Sequence, residues 1–141
     1  MNGLIASRRI EFSDTDEGGV VHFSRYFIFM ETAEDQFLRA LGTGFTFTHD
    51  GRAGGWPKVS ASCEYVASAR YGDELEIRLR VEKMTRATIT YAFTMRRGTV
   101  VVARGRTTSV HCARKEGGGF EAVPIPADLA GRIEPTGDAA D

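Results

Sequence analysis

The chain has 141 residues and a formal net charge of −1, from 18 basic and 19 acidic side chains. That length fits one domain, and 42% hydrophobic residues suffice for a core without metals or disulfides. The near-neutral charge argues against a nucleic-acid-binding protein, which carries a basic excess, and against a disordered chain, which combines high charge with few apolar residues. We therefore expect one globular domain over residues 1–133 and a disordered tail over residues 134–141.

The sequence shows no signal for export or for membrane insertion. Residues 1–10 lack the apolar stretch of a secretory signal, and no apolar run approaches the ~18 residues of a membrane helix. Neither the two cysteines, Cys63 and Cys112, nor the three histidines have metal-binding spacing. We expect a cytoplasmic protein without a metal, in which both cysteines are buried free thiols. A disulfide between them is the alternative.

The first half of the chain predicts one strand and one long helix. Alternating apolar residues indicate a strand over Leu4–Phe12, and Ser13–Gly19 has the composition of a turn. A helix is predicted over residues 24–41, with Ser24 as its N-cap and glycine just past its end. Apolar residues recur along it at spacings of three and four: Tyr26, Met30, Ala33, Phe37 and Leu41. We expect this helix to be largely buried.

The second half predicts strands. After a polar loop over Thr43–Gly55, alternating patterns indicate four strands: Lys58–Ala67, Asp73–Met84, Ala87–Arg96 and Val100–Cys112. A short extension over Phe120–Val123 and a short helix over Ala127–Ile133 follow. Strands with one apolar and one polar face are typical of antiparallel sheets. One helix and one such sheet predict an α+β fold with the sheet wrapped over the helix.

Acidic residues are concentrated between the first strand and the helix. Asp14, Asp16 and Glu17 precede Gly18 and Gly19. Backbone N–H groups at a helix start are free donors, and the helix dipole favours negative charge there. A carbonyl oxygen placed at that end would be polarised, and a nearby carboxylate would attack it or act as a base. Spacing alone favours an ordinary turn, because turns are rich in Asp and Gly.

The residues around this turn resemble a known family. Arg9–Asp16 and Gly19–Tyr26 are similar to the active-site segment of the 4-hydroxybenzoyl-CoA thioesterase family, hotdog-fold acyl-CoA thioesterases that include a tol–pal-associated branch. Further matching segments bring the resemblance to residues 4–133: Gly55–Pro57, Val59–Tyr65, Tyr71–Leu75 and Val123–Leu129. The resemblance implies a hotdog fold, in which an antiparallel sheet of five or more strands wraps around one long central helix. It also implies hydrolysis of an acyl-CoA or acyl-carrier-protein thioester.

The resemblance implies roles for three residues of the turn and helix start. Asp16 matches the family's catalytic carboxylate, which acts as nucleophile or general base. The backbone N–H of Phe23 matches the group that polarises the thioester carbonyl. His22 stands where the family often has an aromatic residue, so we expect it to line the substrate pocket, with a part in the chemistry left open. Asp14 is expected to cap the turn.

Further residues are expected to bind the substrate. The substrate is assigned to Gly19, Val20, Tyr26, Trp56, Pro57 and Ser62, of which the last three are expected to line the acyl pocket. The phosphates of CoA are assigned to the cations Arg70, Lys83 and Arg86. The resemblance also implies a homodimer or homotetramer with the site at a dimer interface, and no cofactor beyond the CoA of the substrate. The sequence does not identify the acyl group.

Two other functions are compatible with the same fold, because one fold hosts several functions. One is a hotdog module that binds CoA or an acyl group without catalysis, which the presence of Asp16 disfavours. The other, ranked lower, is a dehydratase-type enzyme that would pair His22 with Glu31 or Glu34.

Overall fold

The computed structural model describes residues 1–137, and these form two antiparallel sheets and one long helix. The helices are α1 (Arg25–Ala40) and α2 (Ala127–Ala130). The strands are β1 (Gly3–Arg9), β2 (Thr46–His49), β3 (Arg52–Gly55), β4 (Lys58–Tyr65), β5 (Glu74–Met84), β6 (Thr88–Arg97), β7 (Val100–Val110), β8 (Cys112–Arg114) and β9 (Phe120–Ala122). A single 3-10 turn over Phe12–Asp14 lies between β1 and α1.

The larger sheet packs one face against α1. Its strand order is β1-β5-β6-β7-β4, and neighbouring strands are antiparallel. In strand β5 every second side chain is apolar and is buried on the side of the sheet that faces the helix: Leu75, Ile77, Leu79 and Val81. This alternation favours a strand with one face in the core. The helix contributes Phe29, Met30, Ala33, Phe37 and Leu38 to the same core. The prediction of an antiparallel sheet of several strands with one long helix is confirmed. The second sheet, with strand order β2-β3-β8-β9, is not part of the sequence prediction.

Strand β4 forms one edge of this sheet. It pairs with β7 on one side, and its side chains are mostly exposed, with Val59 63% and Tyr65 49% accessible. Val66, directly after the strand, is 54% accessible. An edge with exposed apolar side chains and unpaired backbone groups is suited to pairing with another chain.

The predicted polar loop over Thr43–Gly55 is wrong, because this segment contains the hairpin β2–β3. Its turn is formed by Asp50 and Gly51, which have φ angles of 49° and 78°. Two consecutive positive φ angles are typical of the type I′ turn, for which Asp-Gly is a favoured sequence. The predicted strand Val100–Cys112 is also divided, because the chain passes at His111 from β7 in the larger sheet to β8 beside β3.

The ends of the helix and of the chain differ in detail from the prediction. Ser24 occupies the N-cap position, but its side chain makes no capping hydrogen bond. Residues 134–137, expected to lie in a disordered tail, are held by backbone hydrogen bonds: the N–H of Glu134 donates to Met1 and that of Thr136 to Val81. The rest of the expected tail, residues 138–141, lies outside the described residues.

Cys63 and Cys112 are both free thiols, the first half-buried and the second buried. Within residues 1–137, none of the helices has the length and hydropathy that would let it span a membrane.

Candidate active site

The turn before α1 presents Asp16 to solvent and fixes its backbone. The Asp16 N–H donates to the carbonyl of Val20 at 2.9 Å, and the Gly19 N–H donates to the carbonyl of Asp16 at 2.9 Å. The Gly18 N–H donates to Asp16 Oδ1, also at 2.9 Å. Gly19 has a φ of 80°, which a residue with a side chain rarely adopts, so glycine suits this tight turn. The turn therefore holds one exposed carboxylate at a defined position.

Asp14 has a different role, because its side chain is fully buried and binds two arginines. Arg25, the first residue of α1, donates to it through Nε at 2.9 Å, and Arg8 of β1 donates through Nη2 at 3.1 Å. The backbone N–H of Glu11 donates to it at 2.8 Å. Burial opposes its ionisation, but the Glu11 hydrogen bond and the two guanidinium groups outweigh that effect and lower the pKa of Asp14. Asp14 thus ties β1, the turn and the helix together.

The start of α1 is held by hydrogen bonds on both sides of Phe23. The His22 N–H donates to the backbone carbonyl of Asp14 at 2.8 Å. The phenol of Tyr65, at the end of β4, donates to the backbone carbonyl of Phe23 at 3.1 Å. The N–H of Phe23 lies between these two bonds, at the positive end of the helix dipole. A carbonyl oxygen that reached this N–H would be polarised.

Asp16 and Phe23 line the same cavity, which has a volume of about 420 Å³. The other lining residues are mainly apolar or aromatic: Val20, Val21, Tyr26, Tyr65, Val66, Ala67 and Ser68. The rings of Tyr26 and Tyr65 lie 5.5 Å apart. Burial raises the pKa of Tyr26 to about 12, so its phenol stays protonated at neutral pH. An apolar cavity with one carboxylate and one helix start suits an acyl group and its carbonyl.

Comparison with known proteins identifies the family. Residues 10–133 match the thioesterase-like superfamily. The chain belongs to this superfamily. It is 30% identical over 129 residues to the acyl-CoA thioesterase YbgC of Haemophilus influenzae, a match that covers 91% of this chain and 92% of the relative.

Several solved structures are similar to this chain in fold. A crystal structure of an Aquifex aeolicus protein has a TM-score of 0.80 and 29% identity, covering 93% of this chain and 99% of the other. The 4-hydroxybenzoyl CoA thioesterase of Pseudomonas sp. strain CBS-3 has a TM-score of 0.79 and 21% identity, with coverage of 93% and 99%. These neighbours support a hotdog-like thioesterase fold for the chain.

The turn before α1 also carries His22, which contacts the two residues that follow it. Its Nδ1 lies 2.8 Å from Ser24 Oγ, and the ring stacks on Phe23 with a centroid distance of 4.5 Å. Among the described residues, the wall of the Asp16 cavity does not include His22. The same contact explains why Ser24 does not cap the helix, since its hydroxyl is engaged by the imidazole.

Three of the expected substrate-binding residues lie elsewhere in this chain. Trp56 packs beside the second sheet, with its ring 4.8 Å from His111, and the exposed Pro57 follows it. Both precede β4, whereas Asp16 lies near the end of that strand, so roughly 25–30 Å separate them at ~3.3 Å per residue. Ser62 lies three residues before Tyr65 and therefore faces the opposite side of the sheet, where it lines a groove with Arg80, Arg104 and Arg106.

The three expected phosphate-binding cations also separate. Arg70 pairs with Val20 through a backbone bridge, and its Nη1 lies 3.6 Å from the position of a Cβ built on Gly19. Arg70 therefore lies beside the turn that contains Asp16 and Gly19. Lys83 and Arg86 lie at the other end of β5, roughly 30 Å away along the strand. Of these three cations, Arg70 is the one that lies near Asp16 in its own chain.

The cavity also contains residues that the sequence did not single out, of which Tyr65 makes the most specific contact. Its signal in the sequence is weak: an aromatic residue at the end of a strand whose other side chains are small or polar. The hydrogen bond to Phe23 joins residues 42 positions apart. Local pattern does not reveal contacts of that separation.

Proposed function

We propose that this protein hydrolyses an acyl thioester of coenzyme A or of an acyl carrier protein. The observation that carries the proposal is that the carboxylate of Asp16 and the helix start at Phe23 line one largely apolar cavity. Membership of the thioesterase-like superfamily and the acyl-CoA thioesterase name of the Haemophilus relative support it. The reaction needs no resident cofactor, because coenzyme A enters and leaves with the substrate.

The roles of the two groups follow from their chemistry. The thioester carbonyl oxygen accepts a hydrogen bond from the Phe23 N–H, which stabilises the negative charge that develops as the carbonyl is attacked. Asp16 either attacks the carbonyl carbon, giving a mixed anhydride that water then cleaves, or takes a proton from an attacking water. In both routes the C–S bond breaks and the sulfur leaves as a thiol. Water supplies the hydroxyl of the acid and the proton of the thiol.

A second copy of the chain would complete the substrate site. The edge strand β4 exposes Val59 and Tyr65, and it ends at the cavity that contains Asp16. Lys83 and Arg86 are too distant from Asp16 to serve the cavity of their own chain. We therefore propose a homodimer or homotetramer in which the cations of one chain bind the CoA phosphates of a substrate held by another.

The direct test is a thiol-release assay over aromatic, short, medium and long acyl-CoAs and one acyl-carrier-protein ester. The 4-hydroxybenzoyl ester belongs in the panel because the Pseudomonas structural neighbour is named for it. Release of free thiol from at least one ester supports the proposal. Tight binding of CoA esters without thiol release from any of them would instead favour a non-catalytic binding module.

A further inference from the structure

Tyr65 connects the edge strand of the larger sheet to the start of α1. Its phenol donates to the backbone carbonyl of Phe23 at 3.1 Å, and its ring lies 5.5 Å from the buried ring of Tyr26. Partial burial and the neighbouring Cys63 thiol raise the pKa of Tyr65, so the phenol remains a hydrogen-bond donor at neutral pH. The Phe23 carbonyl precedes the helix, and Tyr65 gives it a partner there.

The hydrogen bonds around Phe23 constrain the direction of its N–H. The peptide before residue 22 is held by the bond from His22 N–H to the Asp14 carbonyl, at 2.8 Å. The peptide after residue 23 is held by the Tyr65 bond to its carbonyl, and its N–H, on Ser24, donates to His22 Nδ1 at 3.3 Å. The Phe23 N–H belongs to the peptide between these two anchors, and the carbonyl of that peptide, on His22, accepts a hydrogen bond from the Arg25 N–H at 3.0 Å. The direction of the Phe23 N–H therefore depends on all of these bonds. Loss of either anchor frees the backbone dihedrals on that side.

We propose that Tyr65 is a positioning residue, whose hydrogen bond to the Phe23 carbonyl aims the Phe23 N–H at the thioester carbonyl. This inference rests on the proposed thioester hydrolysis. Tyr65 acts through the backbone of Phe23, and its removal therefore weakens transition-state stabilisation more than substrate binding. Tyr65 also lies on the exposed edge strand β4. A second chain that paired with β4 would therefore affect the position of Tyr65 and, through it, the shape of the cavity.

The first test compares Tyr65→Phe with Tyr71→Phe as a matched control. Tyr71 is exposed, and it is not among the described residues that line the cavity. Tyr65→Phe is expected to lower kcat about tenfold, less than the ~10²–10³-fold cost of losing an oxyanion-hole donor, with KM nearly unchanged. Incorporation of 4-aminophenylalanine at position 65 restores an N–H donor and is expected to recover most of kcat. A kcat equal to that of the wild type in Tyr65→Phe would overturn the inference.

The second test needs no activity. Amide hydrogen exchange over residues 22–26 is expected to be faster in Tyr65→Phe than in the wild type, with exchange in β5 and β6 unchanged. Unchanged exchange at residues 22–26 overturns the positioning role, as does a uniform increase over the chain, which would show a general stability effect. If wild-type protein releases no thiol from any ester while local exchange rises as expected, then the proposed function fails and the structural link survives.

Discussion

Arg25 donates a hydrogen bond through Nε to Oδ1 of the buried Asp14 carboxylate at 2.9 Å, and its Nη2 lies 2.8 Å from the same oxygen in an ion pair. This pair joins the first residue of α1 to the turn that carries Asp16, two positions along the chain from Asp14. The ion pair between Asp14 and Arg25 therefore connects the turn that carries the Asp16 carboxylate to the start of α1. The positions of Asp16 and Phe23 relative to each other depend on it.

Replacement of Asp14 should destabilise the protein. In Asp14→Asn the side chain keeps its size but loses the charge that attracts Arg8 and Arg25, leaving both guanidinium groups with weaker partners. We expect a loss of about 2 kcal/mol in the free energy of unfolding, the range for hydrogen bonds to charged groups. Urea denaturation measures it. Asp35→Asn, which breaks an exposed pair with Arg39, serves as the control and should cost under ~0.5 kcal/mol; equal losses in the two variants would contradict the prediction.

The lowered pKa of Asp14 predicts that the free energy of unfolding depends on pH. The folded-state pKa of Asp14 is lowered from 3.8, so the stabilisation that it provides is fully present above that pH. It is lost as the pH falls through the folded-state value. The difference in unfolding free energy between wild type and Asp14→Asn should therefore be constant from pH 7 to about 5 and shrink below about 4. A difference that grew on acidification would show that the ion cluster does not stabilise the fold.

Lys58 compensates a buried acid on α1. Its Nζ pairs with Glu34, which is fully buried and also accepts a hydrogen bond from Ser109 at 3.0 Å. Burial raises the pKa of Glu34 despite these partners. Lys58→Met leaves that acid without its cation, so we expect a loss of about 3 kcal/mol at pH 7.

The loss in Lys58→Met should shrink on acidification. A carboxyl with a raised folded-state pKa is penalised in its ionised form, and protonation removes the penalty as the pH falls toward 4.5. Urea denaturation at pH 7 and pH 5 checks both parts. Lys115→Met, at an exposed position, is the control. A Lys58→Met variant as stable as the wild type at pH 7 would show that the buried pair does not stabilise the fold.

His111 predicts a second pH effect, at higher pH. It is buried at the passage from β7 to β8, where its ring stacks on Phe47 at 4.5 Å and its Nδ1 lies 3.0 Å from the carbonyl of Val123. Burial lowers the pKa of His111 from 6.5, so the unfolded chain takes up a proton first. Wild-type stability should therefore fall as the pH drops below 6.5, and His111→Gln should remove much of that slope. Thermal unfolding between pH 7.5 and 5 tests this, and an unchanged slope in His111→Gln would contradict it.

Local pattern accounted for the elements whose burial follows a simple period. The alternation in β5 and the apolar stripe of α1 were readable because each lies against one core. The sequence pattern does not predict the hairpin at Asp50 and Gly51, although Asp-Gly is a turn signal. Its two strands are short and mostly polar, so they show no alternation of apolar residues. The division at His111 depends on which sheet each strand joins, which is a property of the whole fold.

The candidate site was readable only in part, for the same physical reason. Asp16, Val20, Phe23 and Tyr26 are close in sequence, and the structure brings them together around one cavity. Tyr65 reaches that cavity through a contact between distant parts of the chain. The positions of Ser62, Lys83 and Arg86 depend on which face and which end of a strand they occupy. The face and the end of the strand that a residue occupies are determined by strand register and direction, which composition does not reveal.

The proposed thioester hydrolysis depends most directly on the carboxylate of Asp16. The measurement is thiol release by Asp16→Asn from the ester that the wild type cleaves fastest, with Glu17→Gln as the control for an adjacent exposed carboxylate. We expect Asp16→Asn to lose about 10²–10⁴-fold in kcat with little change in its unfolding curve, and Glu17→Gln to stay close to the wild-type rate. Hydrolysis by folded Asp16→Asn at the wild-type rate would contradict this role of Asp16.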